Sequence, residues 1–273
     1  MVSVRGRVAD PRRERVADNR RSEMSVHAAA RRGFERQADA YERGRPSYPP
    51  QATAWLIEEL RLGPCRTVVD VGAGTGKLTR VLVPSGAEVI AVEPVAAMRA
   101  VLERELPRVR ALDGVAESLP VEGGVVDAVV VGQAFHWFDA PAALSEFRRV
   151  LRPGGRLGLI WNLRDRRQPL QRAIDEITEP LRGDTPSQAA GDWRTALERT
   201  ALVKPVGRLR VPFALDLDPE TFIDRVGSIS FIAALDDRRR EQVLDRVRAL
   251  ASEHPEPWAY VTEVYVYEMS GRR

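Results

Sequence analysis

One stretch of the sequence constrains the fold of this chain more than any other. It reads Val-Val-Asp-Val-Gly-Ala-Gly-Thr-Gly-Lys-Leu-Thr over Val68–Thr79. An apolar run ends in Asp70, and glycines follow at alternate positions, at Gly72, Gly74 and Gly76. A short apolar run bounded by turn residues is typical of a buried strand, and glycines allow the backbone to turn tightly beneath a ligand. A strand, a glycine turn and a helix start form the first unit of a nucleotide-binding α/β fold.

Apolar runs and amphipathic segments alternate along the chain. The predicted strands are Thr67–Val71, Glu88–Val92, Val109–Leu112, Val125–Val131, Arg156–Asn162, Arg208–Leu217 and Thr262–Glu268. The predicted helices are His27–Tyr41, Pro50–Leu62, Gly76–Pro84, Ala96–Leu106, a helix capped by Asp139, Pro219–Val226 and Asp236–Glu253, with a polar, helix-prone stretch over Leu163–Val206. Strands that alternate with helices predict a parallel sheet with right-handed crossovers. We therefore predict an α/β fold, Rossmann-like and doubly wound, with a mostly parallel seven-stranded sheet and helical caps.

The net charge of +3 comes from one end of the chain. Residues 1–23 contain seven arginines and four acidic residues, so the remaining 250 residues carry 35 basic and 35 acidic side chains. A nucleic-acid-binding domain has a basic patch on one face, and this neutral body indicates none. The arginine-rich tail has almost no bulky apolar residues and is predicted to be disordered. Met24 offers an alternative translation start that would remove it.

The remaining composition narrows the class of protein further. The 44% hydrophobic and 30% charged content fits an ordinary globular protein. No stretch approaches the roughly 20 apolar residues that a membrane span needs, so we expect no membrane partner. The single cysteine, Cys65, and three scattered histidines, His27, His136 and His254, predict no disulfide and no metal site. A reduced cytoplasmic setting is the expected location.

Three nucleotide ligands compete for the glycine turn. A phosphate-binding P-loop needs Ser or Thr after Gly-Lys and a glycine five residues earlier, but Leu78 and Val71 occupy these positions. The dinucleotide fingerprint needs its third glycine where this chain has Lys77, which makes NAD a weak alternative. S-adenosylmethionine is the third candidate, and it has no phosphates to cradle.

The chain from Thr67 to Asn162 resembles the class I S-adenosylmethionine-dependent methyltransferases. Asp70-x-Gly-x-Gly-x-Gly is similar to their first motif, Glu93 falls where the family keeps its ribose-binding acid, and Val115–Pro120 is similar to the adenine-contacting loop. Phe147–Leu157 matches the family's segment before the fifth strand. The resemblance implies S-adenosyl-L-methionine as cofactor. The candidate cofactor-binding residues are Asp70, Gly72, Gly74, Gly76, Glu93, Met98, Ala116, Glu117 and Gln133.

Two of these residues also have a simpler interpretation. Asp70 is costly inside an apolar strand unless it has a partner, and we expect it to bind loop amides or the methionine amino group. Met98 is either core or an adenine platform. The family's acid two positions before the loop glutamate is replaced by Val115, so adenine recognition would fall to the backbone near Ala116 and to Glu117.

Gln133–Phe138 and Ala38–Tyr48 resemble a small-molecule subgroup, the type 11 and trans-aconitate-like methyltransferases. This resemblance implies a small-molecule acceptor. The candidate substrate-binding residues are Tyr41, Tyr48, His136, Trp137, Trp161 and Ser230. His136 is also the one candidate catalytic residue, as a positioning group or general base, with a packed aromatic cluster as the alternative.

The expected organisation is a tail over residues 1–23 followed by a single domain over residues 24–273. Within that domain, residues 24–50 are the expected lid, 51–162 the cofactor-binding core and 163–273 the substrate cap with the last strands. Methyl transfer from a sulfonium is an in-line displacement that needs alignment rather than a nucleophile triad. Two alternatives stay open: an RNA or protein methyltransferase, and a non-catalytic S-adenosylmethionine-binding protein. No oligomeric state is predicted.

Overall fold

The computed structural model describes residues 38–39, 41–216, 218–253 and 257–270. The predicted tail, most of the predicted helix His27–Tyr41, and two of the three histidines lie outside the described residues.

A seven-stranded mixed sheet forms the centre of the molecule. Its strands are β1 Thr67–Val71, β2 Glu88–Val92, β3 Arg110–Leu112, β4 Val126–Gly132, β5 Leu151–Arg164, β6 Val203–Leu215 and β7 Trp258–Met269. Their order across the sheet is β3-β2-β1-β4-β5-β7-β6. The pairs from β3 to β5 are all parallel, whereas β7 pairs antiparallel with both β5 and β6. The predicted doubly wound, mostly parallel fold is confirmed.

The central strands form because they are apolar on both faces. Val68 and Val69 of β1 and Val129 and Val130 of β4 are fully buried, as expected for strands covered by helices on each side. Val69 lies opposite Val129 in the parallel register. The chain leaves β1 toward β2 on one side and later returns to β4 on the other, and this switch point is where ligands of such sheets bind.

The antiparallel strands are longer than predicted. We predicted Arg156–Asn162 and Thr262–Glu268, but β5 and β7 extend beyond both ends of these apolar cores. Their ladder runs from the pair Arg156 and Glu268 to the pair Arg164 and Tyr260. Pairing with a neighbour supplies hydrogen bonds to polar flanking residues that periodicity alone does not mark as strand. The strand β6 begins earlier than predicted for the same reason, since Val203 pairs with Met269.

Helices cover both faces of the sheet and build a cap at one end. They are α1 Pro50–Glu59, α2 Lys77–Leu82, α3 Ala96–Glu105, α4 Ala140–Val150, α5 Pro169–Thr178, α6 Asp192–Arg199, α7 Pro219–Gly227, α8 Ser230–Ala233 and α9 Asp237–Glu253. Asp139 caps α4 as predicted, since its Oδ1 accepts from the Ala142 amide over 3.2 Å. Among the described helices, none is long and apolar enough to cross a membrane.

Three apolar clusters separate the layers. Leu56 of α1 and Leu82 of α2 pack with one face of the sheet, and Phe147 of α4 packs with the other. A third cluster joins α5, α7, α8 and α9 around Val226 and Tyr260, apart from both faces. This third cluster makes the cap, and it stands beside the carboxyl ends of the parallel strands.

Candidate active site

The glycine turn follows β1 with three left-handed residues. Gly72, Gly74 and Gly76 have φ values of 67°, 59° and 87°, a region that side chains other than glycine rarely adopt. The amides of Gly72 and Ala73 both donate to the carbonyl of Val92, over 2.9 and 3.1 Å. The turn is thereby fixed to the end of β2, and Gly76 opens α2.

The three glycines have different neighbours. A Cβ on Gly72 would lie 2.9 Å from the Cβ of Ala134, and one on Gly76 would lie 3.0 Å from Leu102. A Cβ on Gly74 would meet no atom within 4 Å. Packing therefore explains the first and third glycines, whereas Gly74 faces open space.

That open space is a cavity of about 710 Å³ at the carboxyl ends of β1, β2 and β4, here called the cofactor cavity. Seven candidate cofactor residues line it, namely Gly72, Gly74, Glu93, Met98, Ala116, Glu117 and Gln133. Asp70 lies instead in an adjoining cavity, and Gly76 lines neither of them.

Glu93 connects the end of β2 to the glycine turn. Its Oε2 accepts from the Gly74 amide over 2.8 Å, and its Oε1 accepts from the Val95 amide over 2.8 Å. The side chain is buried, and burial raises its pKa to about 7 in spite of these two backbone hydrogen bonds. The carboxylate is in place to accept further hydrogen bonds from a ligand in the cofactor cavity.

Asp70 has a partner that we did not predict. Its Oδ2 accepts from the Thr79 hydroxyl over 2.6 Å, whereas no amide of a loop that the structure describes donates to this carboxylate. The expectation of loop amides was wrong because Thr79, in α2, turns its hydroxyl back onto the strand. The Oδ1 atom is buried without a hydrogen-bond partner, and burial raises the pKa of this carboxyl to about 7. The predicted contact with an amino group stays a prediction, and Oδ1 is the atom that is open to it.

The far end of the cofactor cavity is mostly apolar. Met98 and Ala116 are buried in its wall. Glu117 also accepts from the backbone amide of Asp139 over 2.9 Å, and so supports the residue that caps α4. Burial raises the pKa of Glu117 above its ordinary value.

A smaller polar cavity of about 500 Å³, the central cavity, adjoins the first one. It is lined by Asp70 and by three cationic side chains, Arg45, Lys77 and Arg225. Tyr48 lies here too, and burial raises the pKa of its hydroxyl well above its ordinary value.

The segment 41–48 joins the glycine turn to the cap. Glu42 accepts from the Thr75 hydroxyl over 2.6 Å, and its backbone carbonyl accepts from Lys77 Nζ over 2.7 Å. On the other side, Arg45 donates to the Ser228 hydroxyl over 3.2 Å and to the Ser228 carbonyl over 3.0 Å. This segment lies within the lid that we predicted over residues 24–50, and it forms a wall of all three cavities through Tyr41.

The third cavity, about 1100 Å³, lies between the sheet and the cap and is here called the acceptor cavity. Five candidate substrate residues line it, namely Tyr41, His136, Trp137, Trp161 and Ser230. Tyr48 does not, because it belongs to the central cavity. Trp161 packs against Trp193, with ring centres 4.3 Å apart and ring planes tilted by 35°.

His136 is neutral near pH 7. Burial, together with charge repulsion from Arg45 and Arg182, lowers the pKa of His136 to about 3. Its Nδ1 is buried without a hydrogen-bond partner. This environment favours a hydrogen-bonding or positioning role over proton abstraction, since a base with so low a pKa binds a proton weakly.

Sequence reasoning missed the largest charged group of the site. Five arginines line the acceptor cavity, namely Arg45, Arg164, Arg166, Arg182 and Arg225. They are far apart in the sequence and cannot be distinguished there from the other basic residues. No local signal could have found them. Among the described residues, no group of three His, Cys, Asp or Glu side chains could hold a metal ion.

Comparison with known proteins gives a consistent result. A family described as a methyltransferase domain matches residues 69–159, from β1 into β5. An uncharacterized methyltransferase of Mycobacterium tuberculosis is 44% identical over 225 residues, which cover 81% of this chain and 86% of that protein. An uncharacterized methyltransferase-like protein of Schizosaccharomyces pombe is 34% identical over 81% of this chain and 87% of its own length.

Solved structures share the fold. A provisionally assigned type II methyltransferase from Anaeromyxobacter dehalogenans has a TM-score of 0.58 at 24% identity, over 84% of this chain and 97% of that one. The YcgJ protein from Bacillus subtilis has a TM-score of 0.52 at 19% identity, over 82% and 99% of the two chains.

Proposed function

This chain belongs to the methyltransferase family, and we propose that it takes a methyl group from S-adenosylmethionine and delivers it to a small-molecule acceptor. One observation carries the proposal. Gly74, Glu93 and Gln133 line the cavity at the sheet's switch point, and this cavity shares the wall residues Tyr41, Gln133 and Trp137 with the larger cavity under the cap. A cofactor and an acceptor therefore each have a compartment, with the junction near Tyr41 and Gln133.

The chemistry of the first two cavities fits this cofactor. Glu93 offers carboxylate oxygens where a ribose would need acceptors, and Met98 and Ala116 offer an apolar wall for a base. The central cavity holds one buried carboxylate, Asp70, together with cationic side chains including Lys77. An amino acid end with one ammonium and one carboxylate group complements this mixture of charges. When bound, the cofactor would supply an activated methyl group on a sulfonium.

The protein's own contribution is alignment and shielding. Holding two reactants in line contributes roughly 7–11 kcal/mol to a displacement reaction. The segment 41–48 is fixed at both ends, to the glycine turn through Glu42 and to the cap through Arg45, so it can keep water from the junction. Tyr41 and Gln133 line both the cofactor and the acceptor cavities, and they are the residues that we assign to alignment.

Calorimetric titration of the full chain with S-adenosylhomocysteine tests the cofactor. We expect saturable binding at one site per chain, and the absence of binding would contradict the proposal.

The acceptor class needs a second experiment. The protein is incubated with tritium-labelled S-adenosylmethionine and a cell extract separated by size. We expect the label in the small-molecule fraction. Label that appears only in RNA or protein would overturn the small-molecule acceptor and leave methyl transfer intact.

A further inference from the structure

We propose that the acceptor molecule is an anion, and that Arg164 and Arg225 hold its carboxylate or phosphate group in the acceptor cavity. This inference rests on the proposed function, because it names the chemical class that the second compartment selects. The evidence for it is the charge of the residues that line that compartment and the presence there of buried donors without hydrogen-bond partners among the described residues.

The charge around the acceptor cavity is not balanced. Five arginines line it, and among the residues that the structure describes no aspartate or glutamate does. Behind the wall, Asp175 pairs with Arg164 and Arg166 over 3.1 and 2.9 Å, and Glu179 pairs with Arg166 and Arg182 over 3.1 and 2.7 Å. The carboxylates of Asp175 and Glu179 thus form ion pairs with three of the five arginines.

Arg45 and Arg225 have only neutral partners among the residues that the structure describes. Arg225 donates to the Tyr260 hydroxyl over 2.8 Å, and Arg45 donates to Ser228. Within the described part of the chain, no carboxylate lies within ion-pair distance of either guanidinium. Arg225 is 4% exposed. An unpaired charge so deeply buried costs several kcal/mol unless a counter-charge is present.

The arginines also repel one another. Arg45 is connected to Arg225 through Ser228, whose hydroxyl donates to the Arg225 carbonyl over 2.9 Å. Burial and the nearby charge of Arg225 lower the pKa of Arg45 to about 10. Arg164 has its pKa lowered by the same two causes. A bound anion would relieve this repulsion.

Unused donors identify where that anion binds. Nη1 of Arg164, Nη1 of Arg225 and Nε1 of Trp161 are all buried and have no hydrogen-bond partner within the described ranges, and all three residues line the acceptor cavity. Each of these groups can donate and none can accept. A carboxylate or phosphate only accepts, and guanidinium groups match its planar oxygen pairs.

Arg164 and Arg225 approach from different elements. Arg164 ends β5, whereas Arg225 lies in α7 of the cap. Arg164 lines only the acceptor cavity, and Arg225 lines the central cavity as well. An anion between them would therefore connect the cap to the sheet.

The test uses full-length protein first shown by calorimetry to bind S-adenosylhomocysteine and then saturated with it. The probes are benzoate, phenyl phosphate and the neutral benzamide. We expect either oxyanion to bind about tenfold or more tightly than benzamide. The oxyanion probe that binds more tightly, benzoate or phenyl phosphate, indicates whether the acceptor's anionic group is a carboxylate or a phosphate. Equal affinity for charged and neutral probes would overturn the proposal.

Variants locate the anion. Arg164→Met is expected to weaken the oxyanion probe about tenfold or more while S-adenosylhomocysteine affinity stays unchanged. Arg152→Met is the matched control, because Arg152 pairs with Asp127 on the surface and is 46% exposed. Since Arg225→Met removes a buried hydrogen bond, Arg225→Lys is the gentler second variant, with the melting temperature recorded beside it. Unchanged oxyanion affinity in Arg164→Met would contradict the proposal. A chain that fails to bind S-adenosylhomocysteine would instead contradict the proposed cofactor.

Discussion

The carboxylate of Glu93 accepts a hydrogen bond from the backbone amide of Gly74 over 2.8 Å and so fixes the glycine turn to the end of β2. The second oxygen accepts from the Val95 amide at the same distance. Glu93 therefore shapes the cofactor cavity before any ligand enters, in addition to the ribose contact that the family resemblance implies.

Replacing Glu93 with glutamine should weaken cofactor binding. The Gln side chain places a carboxamide NH2 group where one carboxylate oxygen of Glu93 accepts a hydrogen bond. One of the two backbone amides therefore loses its acceptor, and a ribose would lose a charged acceptor. We expect S-adenosylhomocysteine affinity to fall about 10- to 100-fold, measured by calorimetry. Glu88→Gln, on the exposed start of the same strand, is the control and should leave affinity unchanged. Wild-type affinity in Glu93→Gln would remove this residue from the ribose site.

Gly74→Ala should affect ligand binding more than stability. Its φ of 59° costs a side chain about 1 kcal/mol, and its Cβ would project into open space. Gly124 has a φ of 72° and equally open surroundings, but it does not line the cofactor cavity. We expect similar losses in urea unfolding for Gly74→Ala and Gly124→Ala, with S-adenosylhomocysteine affinity reduced only in the first. Equal affinities in both variants would mean that the cofactor does not approach Gly74.

Asp70 should give the ligand-free protein a distinctive pH dependence. Its folded pKa of about 7 lies above the ordinary value of 3.8. Between these values the folded chain keeps a proton that the unfolded chain has lost, so this contribution to stability is present at low pH and is lost as pH rises toward 7. Asp70→Asn cannot titrate but can still accept from Thr79.

The comparison is therefore between two urea-unfolding series measured across this pH window. The free energy of unfolding of wild type minus that of Asp70→Asn should fall from about pH 4 to pH 7 and be constant above it. Taking the difference cancels the contribution of His136 to the free energy of unfolding, because its lowered pKa makes stability rise with pH in both proteins. Parallel curves for the two proteins would show that Asp70 is ionised over the whole window.

Gly44→Ala should loosen the segment 41–48 from the cap. A Cβ at this position would lie 2.6 Å from the backbone nitrogen of Arg225, and backbone cannot yield as a flexible side chain can. We expect a loss of roughly 1–3 kcal/mol in the free energy of unfolding, the usual effect of overpacking. Gly63→Ala is the control, since a Cβ there meets no atom within 4 Å. If the two variants unfold at the same urea concentration, the contact between Gly44 and α7 is not present in solution.

Residues that line the cofactor cavity could be singled out from the sequence because they occur in continuous motifs. The strand before Gly72 and the strand before Glu93 have the predicted bounds, Thr67–Val71 and Glu88–Val92. Apolar runs of strand length between turn residues have few other interpretations. Boundaries were wrong where pairing rather than composition decides them, as in β7.

The sequence by itself determined the α/β order, the glycine turn and the acid that follows the second strand, because each depends on neighbours close in the chain. Only the tertiary structure decided that Thr79 is the partner of Asp70, and that Arg45, Arg164 and Arg225 meet beneath one cap. In the sequence these arginines resemble any exposed arginine. Their burial, and the absence of carboxylate partners for Arg45 and Arg225 among the described residues, arise when a strand end, a cap helix and the segment 41–48 pack together. The charge of the acceptor compartment is therefore a property of packing between distant segments, which no local pattern records.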